Sequence, residues 1–252
     1  MKIAGILSYI GEPYYGFQRL KNHPSVQAKL EEVLSFIAGE PVEVKAAGRT
    51  DAGVNALGQV FAFESTRVID LDRLKHALNR LLPPSISVSK VVEVPVSFDP
   101  RHSSRAKEYV YQFYYGDKEA FKKDTWAYFG MPGFDPDVFV EALQIFKGKH
   151  DFRNFTSKQE DKDDFIRDIT TLKTEIDREA KQGKVTFIAN GFMTYQIRFM
   201  VGAAYQVAYG KKTKEEISSL LDSREGKRVS FKAPAQGLTL LRVYYEDASL
   251  GL

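Results

Sequence analysis

The segment Ala47-Gly48-Arg49-Thr50-Asp51-Ala52-Gly53-Val54-Asn55-Ala56-Leu57-Gly58-Gln59-Val60 sets an arginine and an aspartate two positions apart between glycines. Glycines let the backbone turn tightly and approach a ligand closely. An aspartate held in such a loop can serve as a nucleophile or a general base, and a neighbouring arginine keeps it ionised. The plain alternative is a hairpin connection in which Asp51 bonds its own turn. A second charge stands out at Arg198, which lies among Met193, Ile197, Phe199, Met200 and Val201. A charge on so apolar a helix is costly unless paired, so a carboxylate partner is expected. Tyr109, Tyr111, Phe113 and Tyr115 alternate along one strand, a pattern that composition alone assigns to sheet core. The pair His150-Asp151 suggests acid–base chemistry but reads better as a surface loop.

Other chemistries are excluded by what the chain does not contain. With no cysteine there are no disulfides, thiolate metal sites or cysteine nucleophile, and the four histidines show no metal-ligand spacing. Neither a GxGxxG fingerprint nor a P-loop is present, so no nucleotide cofactor is expected. Lysine and arginine number 36 against 33 acidic residues, a net charge of +3 that by itself names no partner. The run Ile3 to Leu7 lacks a cleavage pattern after it and reads as a strand, not a signal peptide. No stretch of 18 apolar residues suggests a membrane span, and a cytoplasmic protein is expected.

The elements that would position these residues follow from periodicity. Lys2 to Tyr9 reads as a strand. Val26, Leu30, Val33, Leu34 and Ile37 then recur at helical spacing between a Ser25 cap and Gly39. Val42 to Ala47 and Leu57 to Glu64 read as strands around the glycine-rich turn. Asp70 caps a helix carrying Leu71, Leu74, Leu78, Leu81 and Leu82, Pro83-Pro84 stops it, and Ile86 to Val94 is the next strand. The order β-α-β-β-α-β is ferredoxin-like. The second half repeats it: strand Glu108 to Tyr115, helix Asp135 to Phe146, strands Ile166 to Arg178 and Val185 to Ala189, helices Met193 to Ala208 and Thr213 to Leu221, and strand Leu238 to Tyr245. The fold class is therefore α+β, two ferredoxin-like units sharing an extended antiparallel sheet with helices on one face and a central cleft. The expected division is 1–104, carrying the Asp51 loop, and 105–252. Gly148 to Phe165 is the longest polar segment and reads as a functional or mobile loop.

The run GRTDAGVNALGQV closely resembles the signature of the tRNA pseudouridine synthase TruA family. Further blocks extend the resemblance over nearly the whole chain. Tyr14 to Arg19 is similar to the family's Y-x-G-W-Q-R, Ser25 to Leu30 to its S-V-Q-x-x-L, and Phe98 to Arg101 with Lys107 to Tyr111 to its F-x-x-R and K/R-x-Y-x-Y. Asn190 to Phe192 with Ile197 to Gly202 resembles its N-x-F and V-R-x-I/M-V-G, and Ala233 to Leu238 its A-P-x-x-G-L. Departures are Asn55 where the family commonly has histidine, Ile10 where it has aspartate, and Thr194-Tyr195 where it has two basic residues.

The resemblance implies isomerisation of uridine to pseudouridine in the anticodon stem-loop of tRNA, about positions 38 to 40, after the base is flipped out of its stack. It implies no cofactor, tRNA as partner and a homodimer. It makes Asp51 the catalytic residue, Arg198 its ion partner and Tyr109 the ring that stacks on the uracil. Arg49 and Thr50 in the loop, Gln18 and Arg19 before the first helix, and Tyr111 are the implied substrate-binding residues. A rival from another class is a non-catalytic RNA-binding protein of two RRM-like units. It lacks an RNP1 run and has no use for the glycine-framed Asp51.

Overall fold

The computed structural model describes residues 1–157, 164–223, 229–246 and 252. In chain order the elements are β1 (Lys2–Tyr9), α1 (Val26–Ala38), β2 (Lys45–Ala46), β3 (Asn55–Glu64), α2 (Leu71–Leu81), β4 (Ile86–Val94) and β5 (Ser104–Tyr114). There follow β6 (Ala127–Tyr128), α3 (Pro136–Gln144), β7 (Gly148–Asp151), β8 (Ile166–Asp177), β9 (Gln182–Ala189), α4 (Gln196–Ala208), α5 (Lys214–Asp222) and β10 (Leu238–Tyr245). The protein is α+β and forms two compact units, one of residues 1–107 and 239–252, the other of residues 108–238. No helix of the described residues is long and apolar enough to cross a membrane.

In the first unit β1 is central, antiparallel to β3 from Lys2↔Glu64 and to β4 from Lys2↔Val94 to Tyr9↔Ile86. β2 pairs antiparallel with the far edge of β3, which completes the ferredoxin-like order β4-β1-β3-β2. β10 also joins β3, in parallel, at Thr239↔Asn55 and Leu240↔Ala56. That distant pairing explains why β3 begins at Asn55, earlier than the hydrophobic pattern indicates. Gly58 is needed there, since a Cβ on it would lie 2.4 Å from the Leu241 carbonyl oxygen.

Both helices of this unit start and stop where their caps dictate. The Ser25 hydroxyl accepts from Ala28 N at 3.3 Å, and left-handed Gly39 (φ 68°) returns its N–H to Ser35 O. Asp70 caps α2 through Arg73 N, while Leu82 is already extended before Pro83. Val26, Leu30, Val33 and Leu34 of α1 and Leu74 and Leu78 of α2 are buried. The strand expected over Val42 to Ala47 shrinks to two residues, because its backbone is satisfied by α1 instead of by a strand. Val42 N donates to Ser35 Oγ, and Val44 N to the buried Glu31 carboxylate at 3.0 Å.

In the second unit the strands run β5-β9-β8-β7, with β6 parallel to β5 at Phe113↔Ala127. β8 and β9 form a long antiparallel hairpin from Ile169↔Ala189 to Asp177↔Gln182. The core is aromatic: Phe113 lies 4.9 Å from both Phe129 and Phe139 between ring centroids, and Phe129 lies 4.3 Å from Tyr205 of α4. Each such pair adds about 0.5–1.5 kcal/mol beyond its burial. Helix α4 begins at Gln196 and not at Met193, because Tyr195 is left-handed (φ 63°) and Met193 N donates to the Gln196 side chain.

The polar segment Gly148 to Phe165 departs from its loop reading. Gly148–Asp151 is β7, paired antiparallel with β8, and Phe152 and Phe155 are fully buried. Buried Asn154 donates to the carbonyls of Leu220 and Ser223 at 2.7 and 2.8 Å. Residues 158–163, the middle of that segment, lie outside the described residues. Polar content concealed a short strand and two anchoring phenylalanines.

Glu31 is the structural keystone of the α1 to β2 connection, receiving Val44 N, the Gln27 amide and Arg19. Glu31→Ala leaves the buried Val44 N–H unsatisfied and is expected to cost about 1–3 kcal/mol, read from the urea unfolding midpoint.

Candidate active site

The Asp51 loop is pinned on both sides. Before it, Ala47 N donates to Val60 O, and the fully buried Gln59 amide donates to Gly48 O at 2.8 Å. At its centre the Thr50 hydroxyl and the Tyr9 hydroxyl share a buried hydrogen bond of 2.7 Å. Burial pushes the Tyr9 phenol up to about 12, against the opposing effect of the bonds to Thr50 and Gln59, so it stays a neutral partner. After it, Val54 N donates to Asp51 O at 3.1 Å, closing a turn whose third residue, Gly53, has φ 76°. Asp51 is half-buried between buried Thr50 and exposed Ala52, and Arg49 is exposed.

A second loop, Gly11 to Arg19, is fitted against the first. Phe17 N donates to Thr50 O, Gly53 N to Tyr14 O, and Gly11 N to Asn55 Oδ1 at 2.7 Å. A Cβ at Gly11 would come within 2.3 Å of Val54 O, and one at Gly16 (φ 98°) within 2.7 Å of Thr50 O. Asn55, one of the departures from the family pattern, therefore holds the Tyr9-Ile10-Gly11 segment that carries another. Of the expected substrate-binding residues here, Gln18 is exposed, while the Arg19 guanidinium is engaged by buried Glu31 at 2.7 Å.

In the second unit the structure brings Arg198 near Tyr111, with Tyr109 two residues earlier on β5. Tyr109 packs edge-on against Phe192 at 5.4 Å. Tyr111 is fully buried and its hydroxyl donates to Pro234 O at 3.0 Å. Burial pushes its phenol well above the usual range, opposed by the nearby Arg198 charge. Arg198 Nε donates to Ala233 O at 2.8 Å, Ala233 N donates back to Arg198 O, and the guanidinium lies 5.4 Å from the Tyr195 ring. Gly202 lets this chain pass so close, since a Cβ there would meet Phe231 O at 2.4 Å. Lys232 Nζ lies 3.8 Å from the same Tyr195 ring, so an aromatic flanked by two cations stands where the family has two basic residues.

Over residues 6–103 and 142–246 the chain matches the sequence profile of the family described as tRNA pseudouridine synthase. The chain belongs to the tRNA pseudouridine synthase family. A Geobacillus sp. (strain WCH70) protein named tRNA pseudouridine synthase A is 35% identical over 248 residues, covering 98% of this chain and 99% of that one. Proteins of the same name from Dictyoglomus turgidum and Myxococcus xanthus are each 36% identical, covering 95% and 96% of this chain and 97% and 91% of their own. Among solved structures, a chain of the "Crystal Structure of a Cbf5-Nop10-Gar1 Complex" aligns with 97% of this chain at 12% identity and a TM-score of 0.42. This chain spans about half, 51%, of that one. Membership places the protein among RNA pseudouridine synthases, which are isomerases.

Tyr9, Asn55, Gln59 and Lys107 carry no assigned role in the sequence pattern. The first three act on backbone or hydroxyl groups far along the chain, and nothing in their local pattern marks that. Lys107 stood in plain view at the head of the aromatic strand, but only the fold brings it beside Gly48. Among the described residues no three His, Asp or Glu side chains are grouped to hold a metal ion.

Gly16→Ala places a methyl group against the Thr50 carbonyl in a left-handed backbone. It is expected to lower stability by about 1–3 kcal/mol in chemical denaturation.

Proposed function

We propose that the chain converts uridine to pseudouridine in the anticodon stem-loop of tRNA, about positions 38 to 40, with Asp51 as the catalytic carboxylate. The observation that carries the reading is the Asp51 loop itself. A half-buried aspartate sits in a backbone immobilised by the Thr50–Tyr9 bond, the Asp51–Val54 turn and the close-packed Gly16. Such immobilisation holds a reacting group in place before substrate arrives, which is where much of a catalytic advantage originates.

The reaction breaks the bond from uracil N1 to ribose C1′, turns the base, joins C5 to C1′, releases the C5 proton and places a proton on N1. Atoms and electrons balance within the nucleotide, so the chemistry asks the protein for a carboxylate at the sugar and for surfaces that retain the detached base. Asp51 acts at the ribose as nucleophile or as base. Tyr109, held edge-on by Phe192, offers its ring to the uracil. Arg198, anchored on Ala233, contributes a fixed positive charge. Arg49, exposed beside Asp51, occupies the space left by the flipped nucleotide.

The test is tritium release from tRNA transcripts labelled at uridine C5, with the modified position mapped in parallel. Asp51→Asn is expected to lower release by at least about a thousandfold while tRNA affinity survives, since binding is spread over many phosphates. Parental rates in Asp51→Asn overturn the catalytic assignment, and modification mapped outside the anticodon stem-loop overturns the positional one.

A further inference from the structure

We propose that Lys107 is a contact for a backbone phosphate of the substrate RNA, seated alongside the Gly48–Asp51 loop. The inference rests on the reading of the chain as one that acts on tRNA and adds a residue to it.

Lys107 runs past Gly48 so closely that a Cβ there would stand 3.5 Å from its Cε and 3.7 Å from its Nζ. The side chain is mostly shielded from solvent, yet among the described residues its ammonium has no hydrogen-bond or salt-bridge partner. The charged group acting on it is Arg101, of like sign, and burial together with Arg101 brings the lysine down from 10.5 to about 8. A half-desolvated cation set against another cation is unfavourable in the free protein and is relieved by an arriving anion.

The surroundings favour that anion. Arg49 is exposed on the same loop, and Lys45, Arg101 and His102 all act on or bond the single carboxylate of Asp99. That carboxylate is already committed, accepting the N–H groups of Arg101 and His102 at 2.9 Å each and pairing with the His102 ring at 3.2 Å. Lys45, Arg49 and Arg101 thus add basic side chains on and around the loop that carries Asp51. Phosphate contacts fix register on the nucleic acid without reading sequence, and a lysine here would set where the target nucleotide lies relative to Asp51.

The experiment measures binding of an unmodified tRNA transcript over a salt series for the parent, Lys107→Met and Lys107→Arg, together with tritium release and melting temperature. Lys107→Met is expected to weaken binding roughly tenfold, alike for different tRNAs, and to flatten the dependence of log affinity on log salt by about 0.7–0.9. Its melting temperature should equal or exceed the parent's because an uncompensated cation is gone, and Lys107→Arg should keep the parental slope. Unchanged affinity and slope in Lys107→Met overturn the contact. So does weaker binding accompanied by a lower melting temperature and an unchanged slope, which marks a structural role. A parent that binds tRNA but releases no tritium defeats the proposed function and leaves the phosphate contact standing; a parent that turns over beside an unaltered Lys107→Met slope defeats the contact alone.

Discussion

The hydrogen bond between the buried hydroxyls of Tyr9 and Thr50 ties the end of the central strand to the residue before Asp51. Tyr9 is the last residue of β1, paired with both neighbours, so its ring cannot follow a moving loop. Thr50 is held through that hydroxyl and again through its carbonyl, which receives Phe17 N. The loop therefore takes its position from the sheet and not from its own turn propensity. A hydroxyl pair suits this task, since burial keeps the phenol neutral and the bond intact over the whole physiological range.

Glycines complete the arrangement by removing atoms. Gly11 and Gly16 let one loop lie against the carbonyls of the other, Gly58 lets β10 approach β3, and Gly202 admits the Phe231 to Ala233 segment against α4. In each case the neighbour is backbone, which cannot swing aside as a side chain could. The second unit solves its packing differently, with Phe113, Phe129, Phe139 and Tyr205 interlocked around α4. That rigid aromatic body fixes Arg198, whose side chain and backbone are both bonded to Ala233.

The residues that ionise are distributed unevenly. Glu31 is buried but surrounded by donors, so its cost is met within the fold. Lys107 is shielded and faces Arg101 instead, so its cost stays open in the free protein. Among the described residues the two buried charges are thus treated differently, Glu31 being met by donors and Lys107 facing a like charge.

The chain itself determined most elements and their limits, because caps and periodicity are local: Ser25 with Gly39, Asp70 with Pro83, and the alternating Lys2 to Tyr9 each act within a few residues. It also marked Asp51 and Arg198 as unusual, through glycine framing and a charge on an apolar helix, whereas Tyr109 stood out only through the family resemblance. Tertiary structure decided what distance along the chain conceals. β3 begins at Asn55 because β10 pairs with it, and Val42 to Val44 lose strand pairing because Glu31 and Ser35 take their N–H groups. A polar stretch becomes β7 and a buried anchor because β8 and α5 receive it. Arg19 is drawn to Glu31 and Tyr111 to Pro234, while Lys107 is left beside Gly48 with no ion-pair partner among the described residues. Partnership between a side chain and a remote backbone group leaves no periodic trace, so it is decided only when the strands have closed.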